Sequence, residues 1–243
     1  MGVIPTCARI AAYVKSHRHI GSGVAFGALA IALFTLANGP SDAQTASPLA
    51  QPLRLSFVPH AAFFSLHAKQ SELIDPEVFV SAEGAPPATS FEQIAHAAGI
   101  RNALMSDDGT QAARDANGRK LGVDLQHWFS ATGLIAFSPP ATPGAGVTVS
   151  ARFTSLVPRG RYSLFHVHID RSGAAPAPLD GSGSANSFSA GADGNADVSL
   201  TVPRMLPHGE IVVLIFHGDG RDHGLQTGAP GIDAEHQMVL QIP

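Results

Sequence analysis

The sequence predicts a mainly β protein, an antiparallel sandwich preceded by a less regular half with short helices. Three observations carry that prediction. From residue 133 onward, short apolar runs recur with Gly- and Pro-rich turns between them. Several of the runs alternate apolar and polar positions, the period of a strand with one buried face. The part before residue 133 lacks this rhythm, and only two of its stretches carry helix signals.

The first element is a leader. Arg9, Lys15 and Arg18 precede the apolar run "GVAFGALAIALFTLA" (23 to 37) and the exit "NGPSDAQ". This is the pattern of a secretory signal peptide over 1–43, cut after Ala43 with Ser41 at the −3 position. The run falls short of the roughly 20 apolar residues of a spanning helix. Cleavage, no stable membrane anchor afterwards, and a secreted or periplasmic location are therefore expected.

From Gln44 the chain has about 200 residues, enough for a sizeable core. Taking Arg9, Lys15 and Arg18 from fifteen cations and Asp42 from nineteen acids leaves twelve against eighteen, a net −6 with neutral histidine. That balance excludes nucleic acid or an anionic membrane surface as partner, because both need clustered positive charge. The single cysteine, Cys7, lies in the leader. No disulfide or thiolate is left, so any metal ion bound as partner must be held by histidine and carboxylate.

Residues 44–132 form an N-terminal segment of mixed short elements: a separate lobe, a part packed on the edge of the sandwich, or partly disordered chain. Residues 44–53 read as a flexible leader, and "LRLSFVP" (53 to 59) and "AAFFSLHA" (61 to 68) as strands. "SFEQIAHAAGI" (90 to 100) begins with a capping-box pattern and predicts a helix. Residues 106 to 122 read as a loop. "VDLQHWFSATG" (123 to 133) predicts a short helix with Leu125, Trp128 and Phe129 on one side, stopping at Gly133. Residues 133–243 then supply the strands "GLIAFS", "VTVSARF", "YSLFHVHID", "ADVSLTV", "EIVVLIFH" and "QMVLQIP". The stretch 171 to 187 reads as a loop.

In "YSLFHVHID", Phe165, Val167 and Ile169 share one face and Tyr162, Leu164, His166 and His168 the other. The two imidazoles start roughly 6 to 7 Å apart at the backbone, fixed in direction by the strand. His217 ends a later strand, at a loop that also holds Asp219, Asp222, His223, Asp233 and His236. Nitrogen-rich sets of this kind suit copper or zinc rather than calcium or magnesium. The competing reading makes these histidines solvated residues on a polar face. His60, His67, His96, His127 and His208 have no partner at ligand spacing and are expected to be surface or hydrogen-bonded residues.

Two other runs carry less. Asp193, Asn195 and Asp197 have the alternate spacing of a calcium loop without its twelve-residue pattern, and turn chemistry explains them. The serines of "DGSGSANS" lack the G-x-S-x-G elbow of a nucleophile.

The segments "YSLFHVHID", "SAGADGNADVSLTV" and "IVVLIFHGDGRDHG", in that order, resemble copper/zinc superoxide dismutase. The resemblance implies a Greek-key, immunoglobulin-like β-sandwich over 133–243 and copper ligands at His166, His168 and His217. It also implies an activity in which copper cycles between oxidation states to disproportionate superoxide. The chain departs from that family after H-V-H, where the loop holds no histidine, so zinc bound in the family manner is not expected. The family's disulfide and its G-G-R-x-x-C-G segment are absent as well. His223 and His236 are the candidates for a missing ligand, and Arg221 for the missing positive charge. Leu156 to Ser163, Gly183 to Phe188 and His217 to Gly224 also resemble turns and loops of uncharacterised secreted prokaryotic proteins. The alternative function is a non-catalytic extracellular β-sandwich that binds a protein or surface polymer, its histidines structural.

Overall fold

A computed structural model describes residues 51–88, 94–140, 142, 144–170 and 173–243; the leader over 1–43 lies outside them. In chain order the elements begin with β1 (Leu53–Ser56), β2 (Val58–Pro59), α1 (His60–His67), β3 (Ile74–Ser81) and β4 (Ile100–Leu104). Next come β5 (Ala112–Arg114), β6 (Lys120–Asp124), α2 (Leu125–Ser130), β7 (Thr132–Ser138) and β8 (Val147–Thr154). The remainder is β9 (Arg161–Asp170), β10 (Gly173–Pro178), β11 (Ser187–Ser189), β12 (Ala196–Val202), β13 (Ile211–His217) and β14 (Glu235–Gln241).

These strands build three antiparallel sheets. The first has the order β1-β7-β8-β12, the second β10-β9-β13-β14-β2 with β11 also on β9, and the third β4-β3-β5-β6. Strand β8 shows why alternation was a sound guide. Val147, Val149, Ala151 and Phe153 are buried while the residues between them are more exposed. Their buried face meets Tyr162, Leu164, Val212, Leu214 and Phe216 of the second sheet in one hydrophobic core. An aromatic series crosses that core, from Phe57 to Phe153 (5.4 Å), Phe188 (5.7 Å), Tyr162 (5.7 Å) and Phe216 (5.4 Å). Each such ring contributes roughly 1.5–3 kcal/mol by leaving water.

The second sheet is covered on its other face too. Phe165, Val167, Ile211, Val213, Ile215 and Val239 pack there with Phe63 of α1. Two-sided burial is why β13 reads "IVVLIFH" without alternation, and every residue of it is buried. Described elements before residue 133 join these sheets. β1 lies antiparallel to β7, β2 pairs β14, and α1 with β3 closes the outer face.

Four local expectations are corrected. "AAFFSLHA" is helical, because a short Ala-rich apolar run does not separate helical from strand period. Pro59, which cannot donate to a continuing ladder, stands at the helix N-cap. The helix expected over 90–100 is absent from its described part. There Ala97 N–H reaches Ala116 O (2.8 Å) and Gly99 N–H reaches Ala85 O (2.9 Å), so long-range partners take the place of helical ones. The predicted loop 106–122 contains the β5–β6 hairpin, whose turn is organised by Asp115 accepting from the backbone of Asn117 and Arg119. The predicted loop 171–187 contains β10, an edge strand that tolerates Pro176 and Pro178 because its outer side needs no ladder bond. Among the described residues no helix is long and apolar enough to cross a membrane.

Candidate metal centre

The alternation of β9 puts His166 and His168 on one side, and a single carboxylate joins them. Glu210, just before β13, accepts from His166 Nδ1 at Oε2 (2.6 Å) and from His168 Nδ1 at Oε1 (3.1 Å). Glu210 is buried, His166 half-buried and His168 exposed. A carboxylate that fixes two rings through Nδ1 sets their tautomer and direction.

His217 does not join this pair. In the β9–β13 register Val212 lies opposite His166, and His217 lies opposite Arg161. Five residues at about 3.4 Å each put roughly 17 Å between His217 and that partner of His166. The faces differ as well, since antiparallel partners point the same way. His166 shares the side of Val212, in the sandwich core, and His217 the side of Ser163 and Ile215. The single set of His166, His168 and His217 is therefore corrected, because an odd number of residues along β13 inverts the side chain.

His217 instead meets the loop that follows it. Its Nε2 pairs with the Ser163 hydroxyl at 2.7 Å, and its ring stacks on His223 at 4.8 Å and 22°. Burial first, then the nearby His223, push its pKa down to about 4, so the imidazole is neutral. The hydroxyl of Ser163 is buried, which removes it as a nucleophile. His223 Nε2 faces Asp219 at 3.3 Å, and Asp219, His223 and Asp233 bring one ligand atom each within 4.8 Å of the others.

His236 belongs to a third place. The β13–β14 register shifts between Leu214 and Ile215, so His236 pairs with Ile215 and Gln237 is the extra residue. This re-phasing sends Gln237 to the core, where it bonds Tyr162 Oη and Trp128 O, and His236 to the layer of α1 and β3. There Glu77 of β3 accepts from His236 backbone N at 2.7 Å and from its ring Nδ1 at 2.7 and 2.8 Å. His60, the first residue of α1, brings its ring to 5.2 Å from that of His236. His60, Glu77 and His236 are 2, 0 and 3% exposed, and each brings a ligand atom within 4.8 Å of the others.

The electrostatics of this set favour a cation. Burial lowers the His60 pKa to about 4 against the pull of Glu77 and of the His236 backbone, leaving a neutral ring whose buried Nδ1 makes no well-formed hydrogen bond. Burial alone would raise the Glu77 carboxyl, but the charge and hydrogen bonds of His236, with His60 behind it, hold it below the usual carboxylate range. More acid surrounds it. Burial pushes Asp75 up to about 7, against hydrogen bonds from the backbone of Glu77 and Val78 and from Trp128. Glu235, with no partner for either carboxyl oxygen, is raised well above the usual range by burial and by Glu77 and Asp115. Two imidazoles and an ionised carboxylate in a dry, acid-rich layer are donors of the kind that could hold a borderline divalent metal.

Sequence reasoning named His236 and missed His60 and Glu77. Spacing could not have found them, since they come from three elements far apart in the chain. One signal was present: "DPEVFV" carries an acid inside an apolar run, and a buried acid needs a partner. Comparison with protein-family models, with curated proteins and with solved structures returned no match.

Proposed function

We propose that this chain is an exported metal-binding β-sandwich protein whose centre is the buried set His60, Glu77 and His236. The observation that carries the proposal is the His60 Nδ1 atom, sealed from water without a well-formed hydrogen bond beside an ionised carboxylate. Leaving a buried polar atom unpaired costs about 1–3 kcal/mol, a cost that a bound ion removes. Copper is the first candidate, because a given N/O site binds it more tightly than the other divalent first-row ions. The Greek-key arrangement of the dismutase-like reading is supported by the chain passing between the first and second sheets at β8–β9, β11–β12 and β12–β13. The burial of all three ligands favours holding the ion over redox turnover, since superoxide needs an open coordination position. The alternative, a non-catalytic extracellular binding module, is favoured by no specific contact.

Metal analysis of the purified chain after exposure to copper and dialysis tests this. One tightly held equivalent is expected in the wild type, lost in His60→Gln and in Glu77→Gln, and retained when His166 and His168 are both changed to Ala. Equal copper content in folded His60→Gln protein would sink the proposal.

A further inference from the structure

We infer that the loop after β13 carries a second divalent-cation site, open to solvent, formed by Asp219, His223 and Asp233. It goes beyond the buried centre and shares no ligand with it. Three ligand atoms within 4.8 Å, two carboxylate oxygens and one imidazole nitrogen, are drawn from the two ends of one loop. Asp219 is held by Arg221 N–H (3.0 Å) and faces the His223 ring, and Asp233 Oδ1 accepts from Ala229 N–H (2.5 Å). Both acids are thus positioned before any ion arrives, which reduces the ordering that binding requires.

A second observation points the same way. His217 is 1% exposed, its Nε2 is committed to Ser163, and its Nδ1, with the Asp233 backbone beside it, makes no well-formed hydrogen bond. The ring lies flat against His223, with Asp219, Asp222 and the backbone of Asp233 as its polar surroundings. A buried imidazole therefore lies beside two of the three ligand residues, the ring of His223 and the backbone of Asp233. An oxygen-rich set with one imidazole suits a first-row ion such as manganese, cobalt or zinc more than a soft one. Partial exposure makes the site exchangeable, in contrast to the sealed centre behind it. The two are neighbours on one sheet face, because His236 pairs with Ile215, two residues before His217.

Cobalt(II) alone, titrated into the full chain, is the probe. Its paramagnetism is expected to broaden the amide resonances of residues 219, 223 and 233, equally in wild type and in Glu77→Gln. Added to Glu77→Gln, which disables the neighbouring buried centre, His223→Ala with Asp233→Asn is expected to abolish that broadening and remove one equivalent. Asp219→Asn, a milder change in an exposed residue, is expected to weaken cobalt by at least about tenfold. Broadening absent from the wild-type loop, or surviving unchanged in the folded variants, would overturn the site. Failure of the buried centre would leave this result untouched, because its ligands are different residues.

Discussion

His236 donates its ring Nδ1–H to the Glu77 carboxylate at 2.7 Å, and its backbone N–H to the same group at 2.7 Å, joining β14 to β3 across 159 residues. Both partners are sealed from water, so the pair ties the N-terminal layer to the sandwich. A buried pair of this kind adds little net stability but is expensive to break on one side, because the survivor is left buried without its partner.

Glu77→Ala is accordingly expected to destabilise the metal-free protein by about 3–5 kcal/mol. Urea unfolding with a matched m-value would measure it. A loss under about 1 kcal/mol would show that water or another acid takes over the carboxylate's place.

Tyr162 reports on the core directly. Its hydroxyl donates to Gln237 Oε1 at 3.0 Å and accepts from Val157 N–H at 2.8 Å, with no surface exposed. Tyr162→Phe leaves both groups buried without that partner. A loss of about 1–3 kcal/mol in thermal or urea unfolding is expected.

Gly133, the second residue of β7, accepts from Phe57 N–H at 2.9 Å. A Cβ there would lie 2.8 Å from the Phe153 ring and 2.9 Å from that of Phe57. Gly133→Ala is expected to lose about 1–3 kcal/mol through overpacking. Unchanged unfolding would mean that the two rings yield freely.

Asp180 gives the pH test, away from any proposed ligand. Burial raises its pKa, but hydrogen bonds from the Ser182 side chain and the backbone of Ala185, Gly183 and Ser182 outweigh burial and bring it down to about 2. A depressed carboxyl stabilises the fold above its ordinary value near 4 and loses that contribution as pH falls through about 2. Asp180→Asn is therefore expected to flatten the stability loss between pH 4 and 2. Carbon-detected NMR titration of the Asp180 carboxyl should find a midpoint near 2, and an ordinary midpoint would remove the effect.

The strands were legible where one face is wet. In β8 and β12 the chain alternates because each residue meets either the core or solvent. β13 was legible as an apolar run, though periodicity alone could not say which side each residue faced. That lost information is what misplaced His217, whose side depends on its parity relative to His166 through the β9 register. The N-terminal half was harder for a related reason. "AAFFSLHA" buries too few residues to display a period, and β3, with Glu77 and Asp75 among its buried residues, breaks the rule that acids mark the surface. His60 looked partnerless because its partners lie 17 and 176 positions away, beyond any local pattern.

The most direct test is electron paramagnetic resonance of the copper(II)-loaded chain, read for nitrogen hyperfine coupling. Two coupled imidazole nitrogens are expected in the wild type and one in His60→Gln, with His166→Ala and His168→Ala together leaving the spectrum unchanged. A spectrum insensitive to His60 and altered by His166 and His168 would contradict the buried centre and return the metal to the surface of β9.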